Sequence, residues 1–421
     1  MNVEPIFIPE QRQVDGQPFP LVLSPSDGPT DLTTALEWLG THGDELRSQL
    51  LEAGAVLLRD FPIASPDDFD ALVQAAGFQG MPYVGGAAPR NEVVKGRVLT
   101  TNESPPSEPI PFHHEMSQVP NPPAYIMFYC DVPPESGGQT PIVLSNVVYK
   151  RFQAISAEFA ERLEDTGVRY VRVMPGTDDD SSPIGRSWRS TFLVDERADA
   201  EDRMRELGME WTWLDNDELH TVTRPLPAIR TDPRSGKKTF FNSVVAAYTG
   251  WVDARNDPTK SVRCGDDTPV DGDVLLETAK AMTEECVAFK WKKGDVLLID
   301  NALVMQDKLA TQVSANYQNL AQVGMFVITA IVRPGVDPAT VSQRIDAIVA
   351  DFVKNGPTAD EVSRYVTGSV VDRIGGLESV GGFGGKAIAL AEGALYSNDP
   401  AHYRKELADL AAQTPATVRA A

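Results

Sequence analysis

Short apolar segments, separated by stretches rich in Pro, Gly and Asn, constrain the fold of this 421-residue chain most. The segments “GAVLLRDF” (54–61), “PAYIMFYCDV” (123–132) and “KKGDVLLIDNALVM” (292–305) have the length and composition of buried β-strands. Further strands are predicted at 137–145, 167–174, 223–230, 238–246 and 286–291. Many short strands with helices between them indicate an α+β protein built on a β-sandwich or jelly roll with flanking helices.

The pattern of the chain changes after about residue 305. Residues 309–335 alternate apolar and polar positions, as the two strands of a hairpin would. Residues 337–356 form an amphipathic pattern that begins with an Asp and ends with a Gly, which predicts a helix. We therefore expect a large domain at residues 1–305 and a smaller α/β tail, a hairpin followed by helices, at residues 306–421.

Charge and cysteine content exclude several classes of partner. A formal net charge of −22 disfavours nucleic acid, because phosphate binding needs a basic surface. The three cysteines are far apart, which favours a reducing cytoplasm over a disulfide framework or a thiolate zinc site. The sequence has neither a signal-peptide pattern nor an apolar run of about 18 residues. We expect a cytoplasmic protein without a membrane partner, and an oligomer is compatible with the sequence.

The segment “PIPFHHEMSQ” (109–118) contains two of the five histidines, followed directly by a glutamate. In an extended segment, residues i and i+2 point to the same side. His113 and Glu115 can therefore reach one metal ion, while His114 points away. Two histidines and one carboxylate form the facial triad that binds Fe(II) and leaves positions for a co-substrate and O₂. The two residues alone are equally compatible with a solvent-facing His–Glu pair.

Several longer motifs surround this half-site. They include “YVGGAAPRNEVV”, “TTNESPPSEPIPFHHEMSQVPNPPAYIMFYCDVPPESGGQTPIVLS”, “SSPIGRSWRSTF”, “TFFNSVVAAYTGWVDARNDP” and “WKKGDVLLIDNALVM”. With these motifs, and with “GAVLLRDFP” nearer the start, about residues 20–305 resemble the clavaminate synthase-like branch of the taurine dioxygenase (TauD/TfdA) family. These are Fe(II)- and 2-oxoglutarate-dependent oxygenases on a double-stranded β-helix. The resemblance therefore implies that fold and a dioxygenase (oxidoreductase) activity that uses O₂. The implied substrate is a small amino-acid-like or secondary-metabolite molecule, and hydroxylation is the default outcome.

The same resemblance implies roles for individual residues. The first two iron ligands of the family fall on His113 and Glu115, and a threonine that contacts 2-oxoglutarate in relatives falls on Thr140 in “GGQTP”. Five further residues lie in motifs near the substrate pocket, although a structural hydrogen bond explains each of them equally well: Asn102, Glu103, Arg186, Arg189 and Asn242.

The resemblance to the family ends at the third iron ligand. Relatives carry a histidine where this chain has Gln306, and their 2-oxoglutarate-clamping arginine has no counterpart before Arg333. An amide oxygen is a poorer Fe(II) ligand than imidazole, and loss of the guanidinium removes a bidentate, charge-assisted contact. We therefore expect weakened binding of Fe(II) and 2-oxoglutarate and an impaired activity. His220 is the alternative source of a third ligand.

The tail, about residues 307–421, resembles the non-catalytic half of pitrilysin/insulinase-like zinc peptidases. It lacks the inverted HxxEH zinc motif of that family. The resemblance implies a gene fusion between an oxygenase domain, truncated before its third ligand, and a peptidase-like fragment. Two hypotheses follow: a working oxygenase with a rearranged third ligand, and a non-catalytic fusion protein that acts as a scaffold or association module.

Overall fold

The structure is a computed structural model that describes most of residues 1–308. Gaps in that range fall at 29, 82, 87–89, 102–109, 135–137, 180–181, 183 and 251–252. Beyond it, the described residues are 313–319, 324–330, isolated positions between 354 and 370, and 386–420. The chain forms two compact units, Met1–Ile331 and Val332–Ala421.

The largest sheet of the first unit contains five strands. Their order is β1 (Val3–Pro5), β4 (Leu21–Pro25), β5 (Ala55–Leu58), β17 (Val296–Asp300) and β9 (Tyr125–Tyr129). Only β4 and β5 pair in parallel. Every residue of β17 is buried because both faces of the sheet are covered. This explains why the strand reads as a continuous apolar run rather than an alternating one.

The two faces of this sheet belong to different clusters of apolar side chains. Val296 and Leu298 pack with residues of helix α1 (Leu32–Ala53), whereas Leu297 and Ile299 point to the other face. On that other face lies a second, antiparallel sheet. Its order is β10 (Ile142–Leu144), β18 (Val304–Lys308) and β8 (Ile110–His113). Two facing sheets with a helix on the outside agree with the jelly-roll prediction.

The register of the small sheet matters for the site. Gln306 on β18 lies directly opposite Ile142 on β10 and opposite His113 on β8. β18 therefore brings Gln306 next to His113, one of the two metal ligands that the sequence predicts.

The first unit also contains a third sheet and several two-stranded ribbons. The sheet order is β12 (Glu210–Trp213), β13 (Leu219–Val222), β11 (Val168–Met174) and β16 (Val262–Cys264). The ribbons are β2 (Arg12–Val14) with β3 (Gln17–Phe19), β6 (Glu92–Val94) with β7 (Val98–Leu99), β14 (Arg230–Thr231) with β15 (Lys238–Thr239), and β19 (Val313–Asn319) with β20 (Gly324–Ala330).

The helices begin where the sequence supplies caps. Asp31 accepts a hydrogen bond from the Thr34 amide at the start of α1, and Ser65 does the same for the amide of Asp68. The remaining helices of the first unit are α2 (Pro66–Ala75), α3 (Ser145–Ile155), α4 (Ala157–Thr166), α5 (Trp188–Phe192), α6 (Arg197–Leu207), α7 (Val244–Thr249) and α8 (Gly272–Glu285). The second unit contains α9 (Lys386–Ser397), α10 (Tyr403–Ala411) and α11 (Pro415–Ala420). No helix in the described residues is long and apolar enough to cross a membrane.

Three of the strand predictions are wrong in extent or type. Between 238 and 246 only β15 is a strand, because the Asn242 side chain accepts from the Val244 amide and the next residues turn into α7. Between 286 and 291 only Val287 forms a bridge, to Ile142. The strand predicted at 223–230 ends instead at Val222.

The predicted tail is only partly described. The hairpin at 309–335 is present as β19 and β20, and it belongs to the first unit. Most of the helix predicted at 337–356 and all of “GGLESVGGFGG” (375–385) lie outside the described residues.

The apolar packing of β17 gives a test of this architecture. Leu298 is 0% exposed between β5 and β9, so Leu298→Ala should lower the free energy of unfolding by about 3 kcal/mol. Urea unfolding followed by tryptophan fluorescence measures it, because all six tryptophans lie in the first unit. Leu276→Ala on α8 is the matched control: its side chain is 48% exposed, and the change should stay below about 0.5 kcal/mol. Equal losses for the two variants would contradict the packing described here.

Candidate active site

A cavity of about 450 Å³ lies beside the small sheet of the first unit. Its wall includes His113, Glu115 and Gln306. It also includes Thr140, which lies two residues before the start of β10. Much of the remaining wall is apolar. A concave, largely apolar cavity with a few convergent polar groups is the usual form of a small-molecule site.

His113 and Glu115 face each other in this cavity. The Nε2 atom of His113 lies 3.7 Å from Oε2 of Glu115. The Nδ1 atom lies 2.9 Å from the carbonyl oxygen of Pro111, which can only accept, so Nδ1 carries a hydrogen. In the neutral ring, Nε2 therefore keeps the lone pair that a metal ligand needs. Burial lowers the pKa of His113, but contact with Glu115 outweighs this effect and raises it.

Arg90 is the counter-ion of Glu115. Its Nη2 atom lies 3.2 Å from each of the two carboxylate oxygens. Burial would raise the pKa of Glu115, but the positive charge of Arg90 and the contact with His113 outweigh it and lower that pKa to about 2. Glu115 is therefore ionised at neutral pH. Arg90 was not among the residues predicted from the sequence, although it lies in the quoted motif “YVGGAAPRNEVV”.

Gln306 completes the polar wall. Its Nε2 atom donates a hydrogen bond to Oε2 of Glu115 at 3.2 Å, and the residue is 6% exposed. Its Oε1 atom is buried and has no hydrogen-bond partner within the described part of the chain. A buried acceptor without a donor is costly, so this oxygen is suited to a cation or donor that enters the cavity.

His114 points away from the cavity, as the alternation predicts. Its Nδ1 atom lies 2.5 Å from the carbonyl oxygen of Asn301, and Nε2 lies 2.9 Å from the hydroxyl of Ser145. Burial lowers the pKa of His114 to about 3, so the ring stays neutral. His114 therefore anchors the end of β8 to the turn that follows β17.

Asn301 holds the same segment through its side chain. Its Oδ1 atom accepts from the amide of Glu115 at 3.0 Å, and its Nδ2 atom donates to the carbonyl of Glu115 at 3.0 Å and to that of Pro123 at 2.8 Å. Both backbone groups of Glu115 are thus fixed by one amide. Asn301 lies in the motif “WKKGDVLLIDNALVM”, but the sequence alone predicts no role for it.

The other predicted residues divide by their position. Thr140 lines the cavity. Arg186 and Asn242 are absent from the cavity wall and bond instead to backbone carbonyls, Arg186 to Gly86 at 2.8 Å and Asn242 to Ala228 at 2.9 Å. Asn102 and Glu103 lie outside the described residues.

Arg189 and His220 also lie away from the wall of the cavity. Nη1 of Arg189 is 2.7 Å from a carboxylate oxygen of Asp217, and its guanidinium stacks on Trp188. His220 lies on β13 next to Thr221, which does line the cavity. Because neighbouring strand residues point to opposite faces, His220 is directed away from the half-site. It therefore supplies no third ligand in this arrangement.

The donor atoms fit a weak divalent-cation site. Nε2 of His113, the carboxylate of Glu115 and Oε1 of Gln306 give one nitrogen and two oxygen donors. Within the described residues, no group of three or more His, Cys, Asp or Glu side chains is placed to hold a metal. The set therefore falls one imidazole short of a facial triad, with an amide in that position.

Comparisons with known proteins identify the family that the chain resembles. Residues 18–305 match the model of the family described as taurine catabolism dioxygenase TauD, TfdA family. The match ends one residue before Gln306. The chain is 49% identical over 306 residues to a clavaminate synthase-like protein from Arabidopsis thaliana, covering 72% of this chain and 92% of that protein.

More distant similarity extends to a second curated protein and to solved structures. The chain is 26% identical over 267 residues to the dapdiamide synthesis protein DdaC from Enterobacter agglomerans, covering 61% of this chain and 78% of that protein. The crystal structure of PvcB from Pseudomonas aeruginosa is 14% identical, with a TM-score of 0.40, over 73% of this chain and 85% of that chain.

The contacts of Asn301 predict a marked loss of stability on truncation. Asn301→Ala leaves the buried amide and carbonyl of Glu115 without their side-chain partner, and should cost about 3 kcal/mol of unfolding free energy. Urea unfolding followed by tryptophan fluorescence measures the change. The exposed Asn91→Ala is the control and should stay within about 0.5 kcal/mol of the native chain. If Asn301→Ala behaves like the control, the amide does not hold the segment.

Proposed function

The chain belongs to the TauD, TfdA family of dioxygenases, and on that premise we propose that its first unit is an Fe(II)- and 2-oxoglutarate-dependent oxygenase with a weakened iron site. One observation carries this proposal. An imidazole nitrogen, a carboxylate and an amide oxygen that has no hydrogen-bond partner among the described residues meet on one wall of the cavity.

His113, Glu115 and Gln306 would hold the iron. When bound, Fe(II) together with 2-oxoglutarate and O₂ supplies the oxidising power that an unactivated C–H bond requires. A neutral amide oxygen binds Fe(II) less well than imidazole does, so we expect Gln306 to lower iron affinity and activity. The match with the family model up to residue 305 supports the assignment of the cavity.

The protein's own residues prepare the site before any metal binds. Arg90 keeps the proton off Glu115, so the carboxylate is available as an anion at neutral pH. The Pro111 carbonyl fixes the ring of His113 with Nε2 toward the cavity. Thr140 lines the same cavity, where its hydroxyl can donate a hydrogen bond to a carboxylate oxygen of 2-oxoglutarate.

The substrate and setting are further parts of the proposal. We propose a small amino-acid-like or secondary-metabolite substrate, which the similarity to a dapdiamide synthesis protein supports. The three cysteines, all in described segments, form no disulfide, which is compatible with the cytoplasm. We also propose that the oxygenase domain ends near residue 305. The tail would then be a fused fragment similar to pitrilysin-like peptidases.

A second candidate function is a non-catalytic scaffold or association module. The contact that favours it is the guanidinium of Arg90, which engages both oxygens of Glu115 and neutralises the charge that would attract iron. The two candidates differ in whether Fe(II) can displace Arg90 from the carboxylate.

Restoring the histidine distinguishes these candidates. Gln306→His should raise the affinity for Fe(II) by about tenfold or more, because imidazole replaces a weak amide donor. Anaerobic calorimetric titration with Fe(II) measures it, and addition of 2-oxoglutarate should produce a metal-to-ligand charge-transfer band at lower iron concentrations than in the native chain.

Gln118→His is the matched control, because Gln118 also lines the cavity but lies outside the proposed donor set. It should leave iron affinity unchanged. Equal affinity in the native chain and both variants, with no charge-transfer band, would overturn the oxygenase proposal and favour the scaffold.

A further inference from the structure

We propose that Arg172 binds a carboxylate group of the substrate, and that the substrate is a small organic acid with an apolar body. This inference rests on the proposed function and names the substrate class of the same cavity. It is carried by the position of Arg172, by the apolar residues around it and by the absence, among the described residues, of a carboxylate in salt-bridge contact with its guanidinium.

Arg172 lies on β11 and lines the cavity. Tyr170, two residues earlier on the same strand, accepts a hydrogen bond from the amide of Ser243 at 2.8 Å. The hydroxyl of Ser243 in turn donates to the carbonyl of His114 at 3.2 Å. The strand that carries Arg172 is therefore bonded to the segment that carries the proposed iron ligands, and both line the same cavity.

The hydrogen bonds that the described residues offer to the guanidinium of Arg172 come from neutral groups. Its Nη2 atom donates to the backbone carbonyls of Ile184 at 2.9 Å and Arg186 at 3.1 Å. Where the structure describes the chain, no carboxylate oxygen lies within 4.0 Å of this guanidinium, and its buried Nε atom has no partner. Burial, with a smaller contribution from the charge of Arg186, lowers the pKa of Arg172 to about 10.

Two buried arginines of the first unit, in contrast to Arg172, pair with carboxylates. Arg59 pairs with Asp295 at 2.6 Å, and Arg169 pairs with Asp267 at 2.9 Å. On the cavity wall itself, Arg90 has Glu115. In a chain with a net charge of −22, a cavity-lining guanidinium without a carboxylate is suited to an anion supplied by a ligand.

The residues around Arg172 indicate the rest of the ligand. Met174, Ile184, Phe192 and Met209 all line the cavity, and these side chains favour an apolar or aromatic body. One guanidinium matches the two oxygens of a carboxylate, whereas a phosphate would call for additional donors. The geometry therefore points to a monocarboxylate on an apolar body.

Calorimetry with phenylacetate and its neutral analogue phenylacetamide tests the proposal without metal. On the native chain, phenylacetate should bind about tenfold or more tightly than phenylacetamide, because only the carboxylate makes charge-assisted hydrogen bonds. Arg172→Met should remove that preference and leave phenylacetamide binding within about twofold. Arg172→Lys should keep part of the preference, since it retains the charge but loses the bidentate geometry.

Arg203→Met is the control, because Arg203 lies on α6 and pairs with Glu206 on the protein surface. It should leave both affinities unchanged. Equal binding of the two probes to the native chain, or an undiminished preference in a folded Arg172→Met chain, overturns the proposal. If Arg172→Met fails to fold, the Lys variant and the native ratio decide. Since no iron is present, these outcomes are independent of the iron titration that tests the oxygenase.

Discussion

The candidate site depends on one amide, that of Asn301. Its side chain fixes both backbone groups of Glu115, and its own carbonyl oxygen lies against the ring of His114. Asn301 directly follows β17, a fully buried strand that pairs with both β5 and β9, so an internal strand of the large sheet sets the position of the His113–Glu115 segment. In this way a buried strand fixes the position of a carboxylate that lies on a loop. A metal site requires ligands whose positions are fixed.

The site combines the donor atoms of a metal centre with an ion pair between Arg90 and Glu115. β18 runs between β8 and β10 and places Gln306 opposite His113. The amide of Gln306 and the guanidinium of Arg90 both bond to Glu115, so its negative charge is shared between two donors. A divalent cation must compete with these contacts. Weakened iron binding follows from this competition as much as from the loss of an imidazole.

Local patterns in the sequence predict much of the sandwich and a shared side for His113 and Glu115. The two side chains do line one cavity, although β8 ends at His113 and Glu115 lies in a turn rather than in the extended segment that the alternation assumes. The apolar runs predict β5, β9 and β17 as buried strands, and of these β9 is only half-buried. Contacts between side chains that are far apart in the sequence leave no such local pattern. Arg90 reaches Glu115 from a Gly- and Pro-rich segment. Arg172 stands out because no carboxylate among the described residues pairs with it, and the local sequence does not indicate this. The 238–246 strand prediction failed because the side chain of Asn242 caps a helix, a local contact that overrides β-propensity.

The most direct test of the account is a crystal structure of the native chain grown anaerobically with Mn(II), an inert substitute for Fe(II). The account predicts an anomalous peak bonded to Nε2 of His113 and the carboxylate of Glu115, with Oε1 of Gln306 turned toward it and Arg90 withdrawn. A structure at saturating Mn(II) in which Arg90 still holds both oxygens of Glu115, with no peak between His113 and Gln306, would contradict it.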